Sequence, residues 1–133
     1  MPFLDTNIIL RHFLQDDPDH SPRATAYLTR VERGEVQVRI AATVVFEVVF
    51  TLQRRYRLSK SAIRDAVLPL LELPAVVLPG KRLLRRAFDL YVDLNLPFAD
   101  AYHAALMQSL GLRGIVSFDR DFDRIPGVTR LEP

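Results

Sequence analysis

Asp5, Glu47, Asp100, Asp119 and Asp121 are the residues of this chain best suited to chemistry. Asp5 closes the apolar start of FLDTNIIL, and Glu47 is set among valines and phenylalanines in TVVFEVVF. Asp100 lies in LPFADAYHAAL, and Asp119 and Asp121 follow in IVSFDRDFDRI. A carboxylate in apolar company is costly unless it is paired, solvated in a cleft or bound to a cation. Brought together without cations, such acids would repel by roughly 4 kcal/mol per close pair at intermediate dielectric. An all-oxygen cluster is the ligand set of hard divalent ions, Mg²⁺ or Mn²⁺, rather than of Zn²⁺. Those ions activate water and neutralise charge developing on a phosphodiester. Singly, each acid has a plainer reading: Asp5 as a helix cap, Glu47 as an exposed side chain, Asp100 as a first-turn acid that suits the helix dipole, DRDFD as a solvated turn. Their joint placement carries the argument.

The elements that would position them can be read from periodicity and punctuation. Residues 2–5 read as a short buried strand ending in Asp5, followed by a helix from Thr6 to about Gln15. Ser21-Pro22 supplies a helix cap and first helical position, with the helix running to about Arg33. Val36–Ala41 alternates and is rich in β-branched residues, as a strand does. Thr43 caps the next helix, which runs to about Tyr56 with Phe46, Val49, Phe50 and Gln53 at helical spacing. Ser59 starts another, to about Leu73, with Pro69 a kink or early end. Ala75–Leu78 is a short strand, Lys81 to about Leu94 an amphipathic helix with Leu84, Phe88 and Tyr91 on one side, and Phe98–Leu110 a helix closed by Gly111. Gly114–Ser117 is an apolar strand, and Val128–Leu131 an edge strand. Strands separated by helices predict an α/β layered fold with a central, largely parallel sheet of four to five strands flanked by helices. Functional groups of such sheets gather at the carboxyl edge, where Asp5, Ser117, Asp119 and Asp121 fall.

The 133 residues predict one domain, residues 1–133, with enough chain to bury a core. Apolar residues make up 49% and charged residues 26%, which argues against disorder. The absence of cysteine excludes disulfides, thiolate catalysis and cysteine zinc sites. No membrane-length apolar run and no leader pattern are present, so a cytoplasmic protein is expected. All basic residues but Lys60 and Lys81 are Arg, a bias that suits phosphate recognition and equally reflects genome composition or thermal adaptation. Neutralising the five acids named above takes the formal charge from +2 to +7, a surface suited to a polyanion.

FLDTNIIL, TVVFEVVFTL, LPFADAYHAAL and IVSFDRDFDRI, in that order and spacing, resemble the PIN-domain nucleases, above all the VapC-type toxins of bacterial and archaeal toxin–antitoxin pairs. The likeness covers essentially the whole chain. It implies a PIN-like three-layer fold and an Mg²⁺- or Mn²⁺-dependent endoribonuclease. By position, Asp5, Glu47, Asp100 and Asp119 match the acidic quartet and Asp121 an auxiliary acid. Asp5, Asp100, Asp119 and Asp121 are thereby implied as metal ligands, with Glu47 a further ligand or a base that orients water. Thr6, Asn7 and Ser117 match the polar positions that orient the acids or hold metal-bound water, and Asp123 falls outside the pattern and reads as surface. The resemblance also implies a homodimer, an RNA substrate and a VapB-type antitoxin as inhibitor; the lack of a membrane-length apolar run predicts no membrane association. His103, three residues beyond Asp100, either faces the acids or is partly buried structure.

Other readings fit less well. A haloacid-dehalogenase-like phosphatase expects an acid where Asn7 stands, and a receiver domain expects its acidic pair before the first helix rather than at Asp16-Asp17. A Ca²⁺ loop would need Gly at Arg124 and Glu at Arg130. The alternative of another class is a PIN-like protein that acts by binding RNA with little or no turnover.

Overall fold

Asp5 ends the first extended segment and begins the first helix. Its carboxylate accepts a 2.8 Å hydrogen bond from the Thr6 N–H at the N-cap of α1, Thr6–Leu14. The computed structural model describes the whole chain, Met1–Pro133, whose contacts divide it into two units, Met1–Lys81 and Arg82–Pro133.

In the first unit α1 is followed by α2 (His20–Glu32), β1 (Val38–Arg39), α3 (Ala42–Arg54), α4 (Lys60–Leu71) and β2 (Val76–Val77). β1 and β2 pair in parallel, Val38 opposite Val76 and Arg39 opposite Val77. Phe3 adds a parallel bridge to Arg39, so the expected first strand is present only as a bridge. The parallel partners β1 and β2 are joined through α3 and α4, as a parallel pair requires a long crossover. α1 packs on α2 and α3, and α3 on α4. Val31, Ile40, Leu52 and Ile63 are fully buried.

Local chemistry explains where the observed boundaries depart from expectation. α2 begins at His20, before Ser21-Pro22, because the Asp17 carboxylate accepts from the Asp19 and His20 N–H groups. Ser21 is buried and its hydroxyl accepts from the Asp17 N–H at 3.2 Å. α3 starts after Ala41 with no side-chain cap, so Thr43 lies inside the helix. Ser59 does cap α4, accepting from the Ala62 N–H at 3.2 Å. Pro69 stays within α4. It spoils only the bond to the carbonyl four residues back, on exposed Asp65, where water can replace it. The inward stripe of α3 is Val45, Val48, Val49 and Leu52; Phe50, at helical spacing with Phe46, Val49 and Gln53, is 62% exposed.

The second unit contains α5 (Lys81–Asp93, whose first residue closes the first unit), α6 (Phe98–Leu110), β3 (Gly114–Val116), a short 3-10 helix (Arg120–Arg124) and β4 (Thr129–Leu131). β3 and β4 are parallel, with Gly114, Ile115 and Val116 opposite Thr129, Arg130 and Leu131. Leu84, Phe88 and Tyr91 of α5 are buried as the pattern predicts. Phe98 packs against Phe88 at 4.8 Å and edge-on to Tyr91 at 5.3 Å between ring centroids, a favourable aromatic geometry. Burial pushes the Tyr91 hydroxyl up to about 12. Gly111 ends α6 with φ 69°, which a residue lacking Cβ adopts without strain.

The α/β class is as expected, and the strand pairs are parallel. The ladders are two short pairs rather than one run of four or five strands, because each segment holds only two or three paired residues before a helix or turn takes over the backbone.

Candidate metal centre

Asp100 is the third residue of α6, carried on the turn that Phe98 anchors in the aromatic cluster. Asp119 caps the 3-10 helix: its Oδ1 accepts from the Asp121 N–H at 2.9 Å, while the Ser117 hydroxyl accepts from the Asp119 N–H at 2.9 Å. These bonds fix the turn after β3, and they leave carboxylate oxygens of Asp100, Asp119 and Asp121 within 4.8 Å of one another. Burial first, then the charge of Asp119 and a hydrogen bond shared with it, raise the Asp100 pKa; Asp121 adds to the rise and His103 opposes it. A group held this way gains from a nearby cation. Three hard oxygen donors without nitrogen or sulfur fit Mg²⁺ or Mn²⁺.

Of the residues holding this turn, Ser117 is among the polar positions that the resemblance implies, whereas Arg130, Asp123 and Arg124 carry no such role in the sequence reading. Arg130 donates to Asp123 at 3.0 Å, to Glu132 at 2.9 Å and to the Ser117 carbonyl at 3.1 Å. Asp123, expected as free surface, is therefore a strut. Arg124 donates to the Leu94 carbonyl at 2.6 Å and approaches Asp121 at 3.4 Å. An Arg paired across a turn with an acid two residues beyond the candidate ligands is the signal that could have marked them. His103 is exposed rather than partly buried, and it acts on Asp100 through charge.

In the first unit, Thr6 links two of the predicted acids. Its N–H donates to Asp5 and its hydroxyl donates to Glu47 Oε2 at 2.8 Å. Glu47 is exposed on α3, as the plainer reading held, yet it is tied across 41 positions of sequence to the start of α1. Asn7 lines an open cleft of about 680 Å³ between α1 and α2, with Arg11, His20, Arg23 and Tyr27. The structure thus gathers Asp100, Asp119, Asp121 and Ser117 in one unit, and Asp5, Thr6 and Glu47 in the other.

The α/β chain, with its parallel strand pairs, thus clusters three carboxylates at the start of α6 and on the turn after β3. The PIN domain family model matches residues 3–128, and the chain belongs to that family. A VapC ribonuclease of Aquifex aeolicus (strain VF5) is similar to it, 22% identical over 125 residues, which cover 94% of this chain and 92% of that protein.

Proposed function

We propose that this chain is an Mg²⁺- or Mn²⁺-dependent endoribonuclease, the toxin of a VapBC-type toxin–antitoxin pair, cytoplasmic, homodimeric and held in check by a VapB-type antitoxin. The observation that carries the reading is the cluster of Asp100, Asp119 and Asp121 in a chain of the PIN family. The Aquifex relative supports RNA as the substrate and an antitoxin as the partner. No helix is long and apolar enough to cross a membrane, which is compatible with a cytoplasmic site of action.

Asp100, Asp119 and Asp121 would hold the cation. When bound, it supplies charge neutralisation and Lewis acidity toward a phosphodiester. Ser117 and Arg130 keep the ligand turn in place. Glu47, whose carboxylate accepts from the Thr6 hydroxyl, is assigned on the family resemblance as a further ligand or a base that orients water. Asp5 is assigned as a further ligand and Asn7 as a polar positioning residue, both on the family resemblance.

The test is 5′-end sequencing of total RNA incubated with purified protein, with Mn²⁺ or EDTA, comparing wild type with Asp100→Asn. New ends at a few sites, absent in the variant and in EDTA, are expected. No new ends from protein with proven metal binding would favour RNA binding without turnover.

A further inference from the structure

Phe50 is a large apolar side chain 62% exposed on a helix whose other face is packed with valines. It is not isolated. Thr43, Glu47, Phe50 and Arg54 are all exposed and recur at intervals of four, three and four residues, so they form one outward stripe of α3. The Arg54 guanidinium lies over the Phe50 ring, 5.4 Å from its centroid, a distance at which a cation is attracted to the ring face. Beyond it the chain continues as Arg55, Tyr56 and Arg57, all exposed, with Arg57 in the left-handed region at φ 53° where the helix gives way to the turn. No carboxylate lies within ion-pair distance of Arg54, Arg55 or Arg57, three arginines within four positions of sequence, so their charges stay open to an anion. The Tyr56 hydroxyl reaches Asp16 at 3.5 Å, and Asp16 is itself occupied by Arg11.

We infer that this stripe is a binding site for single-stranded RNA, in which an unstacked base lies on Phe50 beside Arg54 and the arginines that follow hold the adjoining phosphates. An exposed aromatic ring flanked by unpaired guanidinium groups is the pattern by which proteins hold unpaired nucleotides. The helix sets the spacing. At 1.5 Å per residue, Phe50 stands about 4.5 Å and Arg54 about 10.5 Å along the axis from Glu47. A strand cleaved beside Glu47 would thus run its neighbouring nucleotides along α3. The inference rests on the ribonuclease reading for its choice of RNA among polyanions. A second copy of the chain is the other candidate occupant, and the test below separates the two.

Fluorescence anisotropy with short single-stranded RNA of random sequence tests it, run in EDTA so that cleavage plays no part. Phe50→Leu, which keeps an apolar side chain and removes the ring, should weaken binding about 10-fold or more, and Phe50→Trp should retain it. Arg54→Gln should lower the slope of log affinity against log salt by about 0.7. Wild-type affinity in Phe50→Leu would overturn the inference, as would a wild type that binds no RNA. A fall in molar mass by light scattering for Phe50→Leu, with RNA affinity unchanged, would make the stripe an interface between copies and overturn it too. If the wild type cleaves RNA but Phe50→Leu binds normally, the inference fails and the ribonuclease reading stands. If the wild type never cleaves RNA yet loses affinity on Phe50→Leu, the reading fails and the binding site stands.

Discussion

At the scale of single residues, Asp100 carries the most consequence. Its raised pKa has burial first and the neighbouring Asp119 second as causes, and a divalent cation bound at the cluster would relieve both. Binding that favours the folded chain raises its melting temperature by mass action; at about a hundred times Kd the gain is roughly 2.7 kcal/mol, or about 10 °C for a chain of this size. Mn²⁺ at neutral pH should therefore raise the wild-type melting temperature by that order and leave Asp100→Asn almost unmoved, as read by differential scanning fluorimetry. Equal shifts in both proteins would count against a shared site. Thr6 is the second informative residue. Thr6→Val keeps the shape and removes the bond to Glu47, and it should lower kcat by about 10² without a comparable change in KM. Steady-state cleavage of a labelled RNA separates the two parameters.

At the scale of elements, the question is what holds the segments that bear the clustered acids still. The first turn of α6 is seated by Phe98 against Phe88 and Tyr91, and truncation of such a ring typically costs 3–5 kcal/mol. Phe98→Ala should lower unfolding free energy by about 3 kcal/mol in urea titration and loosen Asp100 with it. The α1–α2 pair has a pH dependence of its own. His12 Nδ1 meets the Thr25 hydroxyl at 2.9 Å, and burial depresses the His12 pKa, with Glu32 opposing. The folded chain keeps this ring neutral where the unfolded chain would protonate it. The associated stability is fully present above the ordinary His value of about 6.5 and is lost as pH falls through the lower, folded value. Melting temperature should decline on acidification below about pH 6.5 in wild type, and less so in His12→Asn. Parallel declines would assign the effect to other groups.

At the scale of the whole molecule, the match to the PIN family spans residues 3–128 and so includes both compact units. We propose that the chain is a single domain, residues 1–133; calorimetry should then find one transition with equal calorimetric and van't Hoff enthalpies. Expressed without a partner, wild type should arrest growth, while Asp5→Asn and Asp100→Asn accumulate as folded protein without arrest. Arrest that survives both substitutions would remove catalysis as its cause.

The amino-acid sequence alone determined the order of helices, the α/β class, the family and the candidate acids. Those properties live in periodicity and in short motifs, which local physics expresses wherever the chain ends up: Ser59 caps α4 and Gly111 ends α6 as residue type dictates. Strand lengths and pairing were not legible, since two-residue ladders depend on which distant backbone arrives alongside. Thr43 and Ser21 failed as caps: the Asp17 turn starts α2 one residue earlier, at His20, and α3 starts after Ala41 with no side-chain cap. Only the tertiary structure decided that Asp123 and Arg130 brace the turn after β3, that Thr6 holds Glu47, and that Phe50 faces outward. Each of those facts joins groups far apart in sequence or chooses between faces of one helix, and composition and spacing carry neither kind of information.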